Sequence, residues 1–532
     1  MTINKNKTIL SLLLIAYVQA FSQNAEPVVT WGKELENTKP GKSNITQIIK
    51  SDATGTYAIR EEGSLTDHHY ILEKYDGNFN RSFSLDITPS SGVMGNSNLV
   101  NKVLVAKSNV IVLCDGWNKA EKTGSCNAFA VSMDGAVPKD PVVLDRASAE
   151  KQMKTASYYF DVSDDGSKLL VLTQLPYEKE TMEKGRVKCF ETSTLKELWS
   201  KDIDFGVPSD KSPDNNIIVS NDGSAFIFKK IKMDKNVWKY ALYSFNNGNM
   251  KKEDVDLGDK VFNNSKMSYN SKGDLIIYGT YATGRWTGKE SQGTIYLRAD
   301  ATSKAIVTKK DETWSPEIVK AVFDGTIGGK AGSVIPMDYK FIQVRSDGSI
   351  LAMFEDNKED KTAVPGSTSF QYSYTYTSKN ILVLCIGSDG GKLWHNVVPK
   401  NQQVQTSSEL RLWDSFCYGM MGDRLLIFYG KTDVPYMWKD AQGREIMKEK
   451  IFGKRVVNPT CMVMIEGNGT MKGVDYYYGW KEKTGLPLLH FMDGASFEMS
   501  LQPIAFYTAE DGIILYAEMP GQQRFKLGKL KL

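Results

Sequence analysis

Histidine is nearly absent, with four in 532 residues. That leaves little material for imidazole catalysis or a histidine metal site. Cysteine is scarce too, six in all, and no two are adjacent. An excess of charge of one sign is also lacking: 66 Lys+Arg against 63 Asp+Glu gives +3. A chain so close to neutral has no electrostatic footprint for nucleic acid or an anionic membrane. GxSxG, HExxH, Walker and GxGxxG patterns are missing, and no Ser/His/Asp set can be placed. His68 and His69 are neighbours on a strand, so they point to opposite faces and cannot easily share a metal. DVSDDGSK at 161–168 is explained by turn geometry, and DNKEDK at 356–361 by solvation. No cofactor and no metal site is expected.

What is present is a globular balance, 41% hydrophobic and 24% charged, which argues against disorder. Lys5 and Lys7 precede an apolar run, ILSLLLIAYV at 9–18, and small residues follow. The spacing predicts a secretory signal peptide over residues 1–22, too short for a membrane span. No cysteine follows the run, so a lipid anchor is not expected. No later stretch approaches the roughly 18 apolar residues of a transmembrane helix. Export to the periplasm or the extracellular space is the expectation. The AFSQ ending and the Lys/Asn-rich chain are similar to exported proteins of Bacteroidota.

The remaining chain repeats itself. An apolar run, a turn of Asp, Asn, Gly or Ser, and a second apolar run recur eight times. Examples are SYYFDVSDDGSKLLVL at 157–172, NNIIVSNDGSAFIF at 215–228 and KFIQVRSDGSILAMF at 340–354. Turn markers at Gly55, Asn109, Gly166, Gly223, Gly273, Gly348, Gly422 and Gly512 supply the backbone that tight hairpins need. Runs such as LLVL and LLIF are continuously apolar, which predicts burial on both faces. A second hairpin follows seven of the eight, as in VKCFETSTLKELWSKDI at 187–203 and ILVLCIGSDGGKLWHNVV at 381–398. Each complete module therefore has four strands, here called a, b, c and d.

The eighth module, at 503–532, has no d strand. PVVTWGKEL at 27–35 stands ahead of the first module. It carries Trp31 as the d strands carry Trp199 and Trp394. An orphan d at one end and a missing d at the other predict that the N-terminal strand completes the last sheet. An all-β, eight-bladed β-propeller is the reading, over residues 23–532 as one domain. Seven blades is the nearest rival. Two β-sandwiches are the competing fold, and they give no reason for the complementary ends.

The SDDGSKLLVL-type copies resemble repeats of TolB-type propellers. The Trp-bearing hairpins at 187–203 and 381–398 resemble degenerate quinoprotein (PQQ-like) repeats. The resemblance implies a propeller fold and little about activity. Pyrroloquinoline quinone is not expected, because the vicinal disulfide of many quinoproteins has no counterpart here. The Asp box of sialidases also fails, since the SDDG and SNDG turns lack its aromatic residue.

The a–b and c–d turns are uniformly tight, whereas the other connections vary. Long insertions are expected at 311–339, 355–379, 430–457 and 478–501. Within the first, SPEIVKAVF predicts a short helix capped by Ser315 with Pro316 at its first position. These insertions carry the candidate ligand-binding residues Trp314, Tyr372, Tyr374, Tyr376, Tyr436, Trp438, Trp480, Asp356, Asp360, Arg444 and His490. Phe370 belongs to the same alternating aromatic ladder, for which packing of the insertion onto its own blade is the favoured reading. Aromatic rings beside a few polar groups suit a sugar or a peptide. Cys114 and Cys126 flank a hairpin and are a possible disulfide; the other four cysteines lie in apolar strands as buried thiols.

The functional expectation is an exported, non-enzymatic binding or scaffold propeller. It would recognise a glycan, a peptide or an envelope protein at its loop-rich face. The alternative is a carbohydrate-active enzyme, a glycoside hydrolase or lyase, using loop carboxylates on the same face.

Overall fold

In the computed structural model, residues 28–531 are described, apart from 38, 40–42, 65–66, 90–95, 137–139, 179, 210–213, 235–236, 324–332, 364–371, 407–413, 431–436, 440–444, 448–459, 473–475, 478–479, 482–499, 510 and 519–523. The expected signal peptide lies outside them. Antiparallel four-stranded sheets follow one another along the chain, at 43–86, 96–148, 157–208, 214–255, 260–313, 338–406 and 417–472. Each is a meander of a, b, c and d strands in sequence order. The last sheet combines Ser500–Ala509, Gly512–Glu518 and Arg524–Lys531 with Val28–Trp31 from the other end of the chain. Val28 stands opposite Lys531 and Trp31 opposite Gly528, and Leu35–Glu36 continues along the same strand.

The hairpin turns form for the reason their composition suggests. At Gly223 φ is +83°, a conformation that costs glycine little. Asp222 accepts the Ser224 amide at 2.8 Å and closes the turn.

The b strands are buried on both sides, and the clusters show where each face goes. Leu169 and Val171 pack toward the second sheet, while Leu170 and Leu172 pack toward the fourth. Every consecutive pair of sheets shares such an apolar cluster. A further cluster joins the first sheet (Ile45, Ile48, Ala58, Tyr75, Phe79) to the eighth (Ala505, Ile514, Tyr516, Phe525, Leu527). Each fully buried large side chain contributes about 1.5–3 kcal/mol.

Two tryptophans tie d strands to the following sheet by hydrogen bonds. Trp199 Nε1 donates to the Gly223 carbonyl at 3.1 Å, and Trp394 Nε1 to the Gly467 carbonyl at 3.2 Å. The short helix is present at Pro316–Val322, with Ser315 as its N-cap.

Two expectations are corrected. Cys114 and Cys126 are free, buried thiols and not a disulfide. Cys114 is paired with Asn127, and Cys126 with Asp115. One residue of offset sends the two side chains to opposite faces of the sheet. Cys114 packs toward the first sheet and Cys126 toward the third. The second correction concerns 355–379, which is largely strand and not loop. Ile350–Ala363 and Tyr372–Ile386 continue through it, and Lys392–Thr406 runs alongside. Alternating Tyr, Thr and Ser suit a half-buried strand, so the sixth sheet grows a three-stranded tongue.

Candidate ligand-binding site

Like ends of neighbouring sheets meet. At the tight-turn end, Lys107 N donates to Gly166 O at 2.8 Å and Asp165 N to Asn221 Oδ1 at 3.1 Å. At the other end, Lys289 Nζ reaches Asn357 O and Asp338 Oδ2, both at 2.8 Å, and Ser378 Oγ donates to Asp414 Oδ2 at 2.7 Å. The b–c and d–a connections of consecutive sheets therefore share one end.

Two concavities open at that end. One, of about 620 Å³, lies between the second and third sheets and is lined by Lys122, Ala149, Lys154, Tyr177 and Glu178 among others. The other, of about 290 Å³, lies where the a strands of the fourth and fifth sheets begin. Its polar lining is Tyr159, Asn215, Asn216, Asn263, Asn264, Ser265 and Lys230. Its apolar lining is a packed aromatic triad. Phe228 stacks on Tyr240 at 5.7 Å, and Phe262 meets both rings edge-on.

The polar wall is held from beneath. Lys229 is fully buried, and its Nζ donates to Glu183 Oε1 at 2.7 Å and to Asn215 Oδ1 at 2.8 Å. The ammonium also lies 4.1 Å from the Phe205 ring centre. A lysine only donates, so it fixes the Asn215 amide with its oxygen inward. Asn215 Nδ2 is then buried without a partner among the described residues. A β-bulge between Phe262 and Asn264 brings four successive residues, Phe262 to Ser265, onto the cavity. Asn216 Nδ2 donates to Ser265 Oγ at 3.0 Å across the two strands.

Lys230 lines the pocket, and Trp286 stands beside it. Lys230 Nζ donates to Phe262 O at 2.8 Å and lies 4.4 Å from the Trp238 ring centre and 5.2 Å from that of Trp286. Trp286 Nε1 donates to Asn263 O at 3.3 Å, yet the side chain stays 54% exposed. It is a held indole with a face to solvent.

Of the candidates named from sequence, Asp356, Asp360, Tyr372, Tyr374 and Tyr376 lie on two paired strands of the sixth sheet. Trp314 is buried, donates to Ser291 O at 2.9 Å and packs edge-on against Phe354. Tyr376 and Tyr374 are buried and stacked at 6.1 Å; Tyr372 is half-buried, with Lys361 Nζ 4.2 Å from its ring centre. Asp360 is exposed and pairs with Lys358 at 2.8 Å. Asp356 is half-buried; burial pushes its carboxyl above the usual range, Lys379 and Lys289 oppose that, and Glu355 and Asp338 add to it. Phe370, Tyr436, Arg444 and His490 lie outside the described residues. Trp438 and Trp480 fall in short strands, Met437–Lys439 and Trp480–Lys481. No group of three potential metal ligands occurs among the described residues. No helix among them is long and apolar enough to cross a membrane.

The chain is an all-β protein of repeated four-stranded antiparallel sheets, the architecture of propeller proteins. No protein-family model matches it, and no curated protein matches it in sequence. It is similar in fold to BamB from Moraxella catarrhalis, at 10% identity over 94% of this chain and 100% of that one, with a TM-score of 0.38. It is similar to the β-propeller domain of the Trilobed protease from Pyrococcus furiosus, at 9% identity over 83% and 98%, with a TM-score of 0.37. It is also similar to the WD40 domain of SCAP from fission yeast, at 9% identity over 94% and 97%, with a TM-score of 0.38. At these identities the likeness concerns fold alone.

Proposed function

We propose that the chain is an exported, eight-bladed propeller that binds a ligand at the end formed by its b–c and d–a connections. The pairing of Val28–Trp31 with the last strand supports a closed ring, as does the apolar cluster between first and eighth sheets. The binding reading is carried by one observation: both concavities open at the end with the variable connections. Variable segments on a rigid scaffold are where recognition usually sits. The ligand class is a glycan, a peptide or an envelope protein. A glycan and peptide array on purified residues 23–532 tests this. Saturable binding without turnover is expected; failure to bind any array member contradicts it.

The raised Asp356 carboxyl, close to Glu355 and Asp338, favours a second reading, a carbohydrate-active enzyme with Asp356 as proton donor. Release of product from a bound glycan, lost in Asp356→Asn, would establish that reading over the first.

A further inference from the structure

The pocket between the fourth and fifth sheets has a chemistry of its own, and its assignment rests on the proposed binding function. Its lining offers amides, a hydroxyl and two phenols, with no carboxylate. Its one ammonium, Lys230, is directed at the Phe262 carbonyl and at two indoles. An anionic ligand would therefore find no uncommitted cation among these lining residues. Asn215 Nδ2 is a buried donor without a partner among the described residues, and it is fixed in that orientation by Lys229. With Asn215 Oδ1 taken by Lys229 and Asn216 Nδ2 by Ser265, Asn215 offers its Nδ2 donor and Asn216 its Oδ1 acceptor, a pair that suits adjacent hydroxyls of a sugar. Trp286 adds a held, half-open indole, bonded to the lining residue Asn263. An aromatic face against the C–H face of a pyranose is the usual complement to such polar groups.

We infer that this pocket is a subsite for a neutral saccharide. Trp286 stacks on one sugar ring, and Asn215, Asn216, Asn264 and Ser265 bind its hydroxyls. Tyr177, in the cavity between the second and third sheets, is not part of it.

Calorimetric titration of residues 23–532 with neutral oligosaccharides of glucose, xylose, mannose and N-acetylglucosamine tests the assignment. A parallel series of uronate oligosaccharides tests the charge argument. Asn215→Ala removes an acceptor from a buried lysine and can unfold the chain. The deciding variants are therefore Trp286→Ala and Asn264→Ala, both at exposed positions, checked by thermal melting. At least one neutral series is expected to bind, with affinity falling about tenfold or more in both variants. Binding that survives Trp286→Ala, or that is lost in Tyr177→Ala or on deleting 358–377, overturns the pocket while the binding reading stands. Preference for uronates, or array binding to peptides alone, overturns the neutral-saccharide class. No binding to any array member overturns both readings.

Discussion

Trp31 lies directly opposite Gly528, and a Cβ on residue 528 would stand 2.5 Å from Trp31 Cε3. The same relationship recurs in two other sheets. Trp199 faces Cys189 and Trp394 faces Cys385, each a d-strand indole opposite a small c-strand residue. The indole needs the space that the small residue leaves. Trp31 therefore sits at the d position of the last sheet by the same rule that places the d tryptophans elsewhere.

Gly528→Leu should force the N-terminal strand off its neighbour. A loss of about 2–4 kcal/mol is expected, comparable to a severe core substitution, and Trp31→Ala should cost a similar amount. Urea denaturation followed by circular dichroism measures both. A loss below about 0.5 kcal/mol in Gly528→Leu would contradict the packing.

The Lys229–Glu183 pair is wholly enclosed. Removing one partner strands the other charge without compensation, so Lys229→Met should destabilise by about 3–5 kcal/mol. Replacing both partners, as Lys229→Met with Glu183→Leu, should recover much of that loss. Equal stability of the single and double variants in denaturant titration would argue against the pairing.

Asp161 gives a pH-dependent prediction. Burial lifts its carboxyl to about 6, against an ordinary value of 3.8, although the Val219 amide donates to it at 2.8 Å. Between those values the folded chain keeps a proton that the unfolded chain has released. Its contribution to stability is complete below 3.8, falls as pH rises through about 6, and is absent above. Asp161→Asn retains an acceptor for Val219. It should therefore gain up to about 3 kcal/mol at pH 7.5 and nothing at pH 3.5. Urea melts at the two pH values check this; an equal effect at both would refute it.

All six cysteines are buried thiols, so redox conditions should not alter stability. Thiol titration of oxidatively purified protein should find six reactive groups in denaturant and almost none in the native state. A melting temperature that falls on adding reductant would point to a disulfide instead.

Much of the fold was legible because turn chemistry and strand burial are local. SDDG, SNDG and SDGS each encode a hairpin, and doubly apolar runs such as LLVL encode a strand covered on both sides. The N-terminal strand was legible from the missing d strand of the last module together with Trp31. The pocket was not, because its residues come from separate a strands and each reads as ordinary turn or strand polarity. One signal was available: Asn215-Asn216 and Asn263-Asn264 open the a strands of two consecutive modules. The aromatic ladder at 372–376 was visible, but periodicity cannot say whether one face of a strand meets ligand or its own sheet. Lys361 and the stacked Tyr374 and Tyr376 occupy that face.

The closed ring is tested most directly by a disulfide across the terminal strands. Thr30 stands opposite Lys529, within the reach of a cross-strand bridge. Thr30→Cys with Lys529→Cys should oxidise to an intrachain bond in the monomer and raise the melting temperature. Two cysteines that stay reduced, or that link only between molecules, would contradict the closure.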